Sequence, residues 1–299
     1  MDRSTPSLDP GLKLPPRTVL HPPVPLSTWL RRSPEPIVGL PREVWVRGQH
    51  VADEGPRVSI VGARAATRGA LDFSRQLAER LATWRQVIVS GGALGVDAAA
   101  HEGALAAGGV TLAVLGTGID IAYPVRHTYL FERICASGAL ISPLPPGTGA
   151  LAWHFPFRNP IIAALGDAVV IVEAGARSGS LGTAAAATRL GRPLWARPGS
   201  PGCDELIATG AARPALSVEQ LAGELLGHGG APPAIPSELA ALHAALGTAP
   251  VAPEALVAHA AQPLPEVLAG LCELELLGRA IRLEDGRYLA LPGSADLKE

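Results

Sequence analysis

Between residues 57 and 227 the chain alternates short, fully apolar runs with stretches whose apolar residues recur at helical spacing. The apolar runs are RVSIVG, QVIVSGG, TLAVLGTG, ALISPLP, DAVVIVEA and PLWARPG. Strands that are apolar at every position are typical of parallel sheets covered on both faces. The pattern therefore predicts an α/β fold, with an extended Rossmann-like, doubly wound parallel sheet.

The composition is that of a chain with a sizeable core. Hydrophobic residues make up 47% of the chain and charged residues 17%, which excludes wholesale disorder. No apolar run reaches the roughly 18 residues of a membrane-spanning helix. The first ten residues, MDRSTPSLDP, lack the apolar segment of a signal peptide. We therefore expect a cytoplasmic protein that does not contact a membrane.

Several motifs that carry chemistry are absent from the sequence. Cys135, Cys203 and Cys272 show no CxxC spacing, which argues against a disulfide framework and a cysteine zinc site. The signatures HExxH, GxSxG and GxxxxGK[ST] do not occur. The sequence thus predicts no metal site, no cofactor and no catalytic nucleophile.

Composition also divides the chain into parts. We expect a proline-rich N-terminal tail and lead-in at 1–56 and the Rossmann-like domain at 57–227. The stretch HGGAPPAIP has the composition of a linker, which we place at 228–235. A small C-terminal domain follows at 236–291, and a tail at 292–299.

The C-terminal domain has the pattern of a winged helix. Three helical stretches are separated by short breaks: SELAALHAALG, APEALVAHAAQ and LPEVLAGLCELELLG. Asp285 and Gly286 then stand between two apolar runs, and Asp-Gly in that position is a strong hairpin signal. Three helices and a β-hairpin describe a winged helix-turn-helix.

Two glycine loops follow the first two predicted strands, at the strand ends where doubly wound sheets bind ligands. The first loop contains Gly62 and Arg64, and a plain turn does not need this arginine. The second loop contains Ser90, Gly91, Gly92, Gly95 and Asp97. Its backbone N–H groups, at a helix N-terminus, predict an anion site. Asp97 is equally well explained as a helix cap.

Two further loops offer similar chemistry. Gly116 and Gly118 end a strand, where a phosphate or sugar fits, although a tight turn explains them equally well. Ser178, Gly179 and Ser180 follow DAVVIVEA and open a helix. Hydroxyl and N–H groups at a helix N-terminus favour an anion, and one of the serines also suits the cap position.

The segment HFPFRN combines aromatic, cationic and amide side chains. Its candidate binding residues are Phe155, Phe157, Arg158 and Asn159. Rings on which bases stack, an arginine for phosphate and an amide for hydrogen bonds suit single-stranded nucleic acid. The alternative is that the rings belong to the core and Arg158 and Asn159 cap a helix.

Four of these five segments lie at strand C-termini, which converge on one edge of a doubly wound sheet. Together they describe a polyanion groove or a nucleotide site. In this order the motifs GxR, SGxAxGxD, LGxGxDxxYP, FPxRN, SGSL and PGS resemble the DNA-processing protein A (DprA/Smf) family. The similarity spans about 36–225, and 236–291 resembles the winged-helix domain that many members carry.

The resemblance implies a DNA-binding protein without known catalytic turnover. Family members bind single-stranded DNA, help to load RecA recombinase during natural transformation, and commonly form homodimers. Two departures bear on affinity: members often have arginine where this chain has Leu94 and Pro160. Since each lost cation removes a phosphate contact, we expect weaker DNA binding than is usual for the family. Pro160 is also expected at a first helical position, where proline is tolerated.

Charge is distributed unevenly along the chain. The net charge is -2, but residues 57–222 carry 14 arginines against 11 acidic residues, and residues 236–291 carry 3 arginines against 7 acidic residues. DNA-reading helices are normally basic, so we expect that the winged helix does not grip DNA. A protein contact, an autoinhibitory contact with the basic groove, and a merely solvated surface are the alternatives.

Two other functions compete with single-stranded DNA binding. A nucleotide or nucleoside-phosphate hydrolase would use the same glycine loops, but its usual PGGxGTxxE signature is replaced here by SGSLGTAAA. A transcriptional regulator would use the winged helix, which the acidic helix opposes. The sequence therefore favours a single-stranded DNA-binding recombination mediator that is not an enzyme.

Overall fold

A computed structural model describes residues 11–14, 20–30, 40–49, 55–229, 235–246, 251–260, 262–276, 279–282 and 286–290. These divide into two compact units, Met1–Val218 and Glu219–Glu299. Most of the predicted linker at 228–235, and the whole tail at 292–299, lie outside the described residues. The predicted domain boundaries therefore stay a prediction.

The strands of the described chain are β1 (Leu12–Lys13), β2 (Leu20–Pro25), β3 (Glu43–Gly48), β4 (Arg57–Val61), β5 (Val87–Ser90), β6 (Thr111–Val114), β7 (Ile121–Ala122), β8 (Ala139–Ser142), β9 (Ala168–Ile171), β10 (Leu194–Ala196), β11 (Arg213–Pro214), β12 (Ala280–Arg282) and β13 (Tyr288–Ala290). The helices are α1 (Arg68–Thr83), α2 (Val96–Ala106), α3 (Thr128–Ser137), α4 (His154–Leu165), α5 (Ser180–Arg189), α6 (Pro201–Ala208), α7 (Val218–Gly229), α8 (Ala240–Ala245), α9 (Pro253–Ala260) and α10 (Leu264–Leu276). Among the described residues, no helix is long and apolar enough to cross a membrane.

The first unit is built on a sheet with the strand order β11-β10-β9-β4-β5-β6-β8-β3-β2. From β11 to β8 neighbouring strands are parallel, and β3 and β2 add antiparallel pairs at one edge. The chain leaves β4 towards β5, β6 and β8, and then returns to place β9 on the other side of β4. The order thus reverses between β4 and β9, which is where doubly wound sheets bind ligands.

Helices cover both faces of the central sheet. On β6, Leu112 and Val114 belong to the apolar cluster that includes residues of α4 and α5. Ala113, between them, belongs to a second cluster that includes Phe131 and Ile134 of α3. Because successive strand residues point to opposite faces, both faces need apolar residues. This explains the fully apolar runs and confirms the predicted doubly wound α/β class.

The proline-rich lead-in contributes more structure than the sequence predicted. We expected residues 1–35 to be irregular, whereas β2 pairs with β3 and the Trp29 side chain is fully buried in the core. The Arg57 guanidinium donates a hydrogen bond to the carbonyl of Trp29. The outer strand tolerates Pro22 and Pro23 because a proline at a sheet edge does not have to donate to a neighbour.

The second unit has the elements of a winged helix. Helices α8, α9 and α10 share an apolar cluster with Ala280 and Tyr288 of the hairpin. In that hairpin, β12 pairs antiparallel with β13. Asp285 lies outside the described residues, and Gly286 has a φ of +83°, in the left-handed region that such turns use. The prediction of a winged helix is confirmed.

Candidate nucleic-acid interface

A cleft opens where the strand order reverses, beyond the carboxyl ends of β4 and β9. Its volume is about 410 Å³, within the range of small-molecule sites. The lining residues come from the loops after β4, β5 and β9 and from α2, α4 and α5: Val61, Gly62, Arg64, Ala93, Asp97, Ala152, Phe155, Pro156, Arg158, Asn159, Ile162, Ser178, Gly179, Ser180 and Thr183.

The structure brings most of the predicted segments to this cleft. The predicted residues that line it are Gly62, Arg64, Asp97, Phe155, Arg158, Asn159, Ser178, Gly179 and Ser180. The remaining predicted residues lie behind or beside the lining: Ser90, Gly91, Gly92, Gly95, Gly116, Gly118 and Phe157. These residues come from five segments that are far apart in the sequence.

 The segments meet because parallel strands end at a common edge.

Arg158 is almost fully buried beneath the cleft and joins three elements. Its guanidinium donates hydrogen bonds to the carbonyl oxygens of Gly91 and Val114, and its Nε donates to Oδ1 of Asn159 at 3.2 Å. Nη2 lies 4.0 Å from Oδ2 of Asp97. Burial lowers the pKa of Arg158 to about 10, an effect that nearby Asp97 opposes, so the side chain stays charged at neutral pH. Much of its donor capacity thus holds the protein together.

Asp97 organises the loop after β5 from the first turn of α2. Its Oδ2 accepts hydrogen bonds from the backbone N–H groups of Gly91 at 3.1 Å and Ala93 at 3.3 Å. Burial raises the pKa of Asp97, while Arg158 and the backbone donors oppose that shift. The sequence suggested that these loop amides would be open to an anion. Two of them instead bind this carboxylate.

Two glycines of this loop occupy places that no larger residue fits. A Cβ on Gly91 would lie 2.4 Å from Nη2 of Arg158. Gly95 precedes α2 with a φ of +78°, and a Cβ there would lie 2.2 Å from the carbonyl oxygen of Ala63. The loop after β5 is therefore packed directly against the loop after β4, which carries Arg64.

Arg64 is exposed at the mouth of the cleft. Its guanidinium carbon lies 4.9 Å from the ring centroid of Phe155, a cation–π distance. The Phe155 ring also packs against Tyr123, with 5.3 Å between centroids. The mouth therefore presents a cation and an aromatic ring side by side.

The Arg64 loop is attached to β9 through a carboxylate. Both oxygens of Glu173 accept from the backbone N–H of Thr67, at 3.3 and 3.1 Å, and Oε2 also accepts from its hydroxyl. The Thr67 hydroxyl oxygen in turn accepts from the N–H of Ala70 and caps α1. Glu173 thus links the two loops that flank the point where the strand order reverses.

The N-terminus of α5 forms the opposite wall. The hydroxyl oxygens of Ser178 and Ser180 lie 2.8 Å apart, and Nδ2 of Asn159 donates to the carbonyl of Gly179 at 2.9 Å. The N-cap residue of α5 is Gly179, and the Ser178 hydroxyl accepts a hydrogen bond from the backbone N–H of Ser180, the first residue of the helix, at 3.4 Å. A helix N-terminus carries a partial positive charge, so this wall favours an anion.

The loop that contains Gly116 and Gly118 supports the cleft from behind. The N–H of Gly118 donates to the carbonyl of Thr148 at 2.7 Å, and the Thr117 hydroxyl donates to the carbonyl of Ile121 at 2.7 Å. A Cβ on Gly116 would lie 2.7 Å from the Phe155 ring. This loop therefore positions Phe155.

His101 is a buried structural residue of α2. Thr111 donates its hydroxyl to the carbonyl of Ile88 at 2.8 Å and therefore accepts from Nδ1 of His101, at 2.7 Å. Burial lowers the pKa of His101 to about 3, and the charges of His127 and Arg158 act in the same direction. The imidazole is neutral at physiological pH.

Some features of the cleft were missed at the sequence level. Ala152, Pro156 and Thr183 line it and stand next to the predicted motifs, which is the signal that would have included them. Pro160 was expected at a first helical position but lies inside α4. Because proline lacks an N–H, it removes one hydrogen bond from the second turn of that helix.

The arrangement suits an anion that carries a planar ring. Arg64 and the N-terminus of α5 attract negative charge, and Phe155 offers a ring for stacking. In the part of the chain that the structure describes, no group of three histidine, cysteine or acidic side chains is arranged to hold a metal ion. A phosphate joined to a base meets both requirements.

Comparison with known proteins adds independent information. A family model described as DNA recombination-mediator protein A matches residues 31–226, and one described as DprA winged helix domain matches residues 228–286. Protein Smf of Escherichia coli is 35% identical over 257 residues, which are 80% of this chain and 69% of that protein. Protein Smf of Synechocystis is 39% identical over 212 residues, which are 68% of this chain and 52% of that protein.

A solved structure of DNA processing protein A from Helicobacter pylori, described for its single-stranded DNA binding mode, has a similar fold. It superposes with a TM-score of 0.64 and 28% identity, and the match covers 72% of this chain and 98% of that one. The chain spans about half the length of the first curated relatives that it matches, 46% in one case and 52% in another. Because the first family model covers residues 31–226, well over half of the sequence, the chain belongs to the DNA recombination-mediator protein A (DprA/Smf) family.

Proposed function

We propose that this chain binds single-stranded DNA at the cleft between β4 and β9 and acts as a recombination mediator in natural transformation. The observation that carries the proposal is Arg64, exposed at the mouth of the cleft beside the Phe155 ring and facing a site lined by the N-terminus of α5. A cation for phosphate next to a ring for a base is the combination that single strands require.

The size of the cleft favours a single strand over a duplex. A volume of about 410 Å³ admits a nucleotide-sized group. The bases of a duplex are stacked inside the double helix and cannot enter such a cleft. Membership of the family supports the same substrate, and the Helicobacter pylori relative is described for its single-stranded DNA binding mode. The predicted site residues are proposed as one DNA-binding surface, in which Arg64 and Phe155 contact DNA and the glycine loops position them.

The proposal predicts that Arg64→Ala weakens the binding of labelled oligo-dT about tenfold at low salt, since a charged hydrogen bond to phosphate is lost. The slope of log K against log salt should decrease by about 0.7, the value for one phosphate contact on a single strand. Fluorescence anisotropy over a salt series measures both quantities.

Arg189→Ala is the matched control for this experiment. The first turn of α5 lines the cleft, whereas Arg189 is exposed in the last turn of that helix. Arg189 therefore lies away from the cleft, towards the amino ends of the strands. The same change of charge there should leave affinity nearly unchanged. Equal losses in both variants would show a nonspecific effect of charge, and no binding by the unchanged chain would reject the proposal. The nucleotide hydrolase would then be tested with nucleoside phosphates.

The remaining parts of the proposal follow from family membership. We propose that the chain is not an enzyme, forms a homodimer, and delivers RecA recombinase to the bound strand in the cytoplasm. The hydroxyl of Ser90, in the glycine loop after β5, donates to the carbonyl of Ile60 at 2.6 Å and is fully buried, which supports a structural role for it.

We also propose that the winged helix does not grip DNA. The exposed side of α10 carries Glu266 and Glu273, and the helix contains no lysine or arginine. A helix of this charge repels phosphates. The expected result is that full-length Glu266→Lys/Glu273→Lys binds duplex DNA more tightly than the unchanged chain, by a few-fold at low salt. Anisotropy with a labelled duplex measures this, and a loss of duplex affinity would contradict the proposal.

A further inference from the structure

Three large apolar side chains are exposed within one short segment at the start of α4. The exposed fractions are 52% for Leu151, 61% for Trp153 and 41% for Phe157. Trp153 contrasts with Trp29 and Trp195, which are fully buried. Exposed aromatic side chains that are grouped in this way mark an interaction surface.

The two aromatic rings of this segment lie on the same side of the helix. Trp153 and Phe157 are four residues apart, and their ring centroids are 6.4 Å apart with an interplanar angle of 64°. Trp153 also packs against His154, with 4.1 Å between centroids, and the His154 side chain is buried. The indole is thus held from below while most of its surface faces solvent.

This pair of rings is continuous with the mouth of the cleft. Ala152, Phe155 and Pro156 line the cleft and stand in the same short segment as Trp153 and Phe157. The same turn of helix therefore has one ring at the cleft, beside Arg64, and two rings outside it. A strand that leaves the cleft past Phe155 would pass next to the exposed pair.

We infer that Trp153 and Phe157 form a stacking platform for bases of single-stranded DNA that lie outside the cleft. The inference rests on the proposed function and extends it by a second binding region. Stacking on aromatic rings tolerates any base, because every base has a π face, and so suits a protein that binds incoming strands of any sequence. The continuity with a cationic cleft favours a nucleic acid over a protein as the occupant.

The experiment compares Trp153→Leu and Phe157→Leu with the unchanged chain on two probes. One probe is oligo-dT of about 20 nucleotides, and the other is an abasic oligomer with the same number of phosphates. Trp153→Leu should lower affinity for oligo-dT about tenfold, the effect of one lost stacking contact. Its affinity for the abasic probe should stay near that of the unchanged chain, since phosphates do not stack.

Trp84→Leu is the matched control. Trp84 follows the last residue of α1, a helix that begins near Arg64 and returns to the amino ends of the strands, so it lies away from the cleft. Thermal unfolding confirms that each variant folds. Oligo-dT should also quench tryptophan fluorescence in the unchanged chain, and much less in Trp153→Leu, because Trp153 is the most exposed of the tryptophans.

The outcomes separate this inference from the proposed function. If the unchanged chain binds neither probe, the proposed function itself fails. If Trp153→Leu binds oligo-dT as the unchanged chain does, or loses affinity equally for the abasic probe, DNA binding stands and the stacking platform is rejected. A change in sedimentation of Trp153→Leu with unaltered DNA affinity would identify the patch as a protein contact and also overturn the inference.

Discussion

Arg158→Met is expected to destabilise the folded chain by about 3–5 kcal/mol, the usual effect of removing one member of a buried charge pair. The guanidinium donates to the carbonyls of Gly91 and Val114 and lies 4.0 Å from the Asp97 carboxylate. Methionine fills much of the volume but leaves these acceptors unpaired and Asp97 without its compensating charge. Urea denaturation, followed by circular dichroism, measures the change in the free energy of unfolding.

Arg64→Met is the matched control for stability, since Arg64 is exposed at the mouth of the cleft. It should change the free energy of unfolding by less than about 1 kcal/mol and act on DNA affinity instead. Asp97→Asn should lower the free energy of unfolding less in the Arg158→Met background than in the unchanged chain, because the two side chains interact. The expected difference is about 0.5–3 kcal/mol. Strict additivity of the two substitutions would contradict the coupling.

This expectation changes how Arg158 is to be tested. Its place in the FPxRN motif and at the cleft suggests a phosphate contact, yet its side chain is buried and hydrogen-bonded to two backbone carbonyls. A loss of DNA binding in an Arg158 variant could therefore result from a lost phosphate contact, from a folding defect, or from both. Arg64 offers the cleaner substitution.

Gly95→Ala is the second substitution with a large expected effect, a destabilisation of about 2–5 kcal/mol. The φ of +78° is unfavourable for alanine, and the new Cβ would lie 2.2 Å from the carbonyl oxygen of Ala63 and 2.6 Å from that of Arg64. To relieve this contact, the loop after β4 must move. We therefore expect weaker binding of oligo-dT as well as lower stability.

Gly108→Ala separates backbone strain from the steric contact. Gly108 has a φ of +66°, but nothing lies within 4 Å of the position of its Cβ. Its free energy of unfolding should fall by about 1–2 kcal/mol, the effect of the left-handed conformation alone, and its DNA affinity should stay unchanged. Urea denaturation and anisotropy on both variants give the comparison. Equal stabilities would show that the loop after β4 accommodates the larger residue.

The sequence by itself determined the fold class and the approximate position of the cleft. A strand buried on both faces needs apolar residues throughout, so RVSIVG and DAVVIVEA could be assigned from local pattern alone. Glycine loops at their ends then had to meet at one edge, because parallel strands end together. The winged helix could also be predicted from the sequence, since helical spacing and an Asp-Gly turn are local signals.

Only the tertiary structure decided the role of each side chain at the cleft. Arg64 and Arg158 are both arginines in glycine- or aromatic-rich motifs, but one is exposed and the other is buried against Gly91 and Val114. The edge strand β2, in a segment that sequence analysis expected to be irregular, likewise depends on its pairing with β3. Burial and hydrogen bonding between residues far apart in the chain are set by packing, and local sequence pattern carries little information about them.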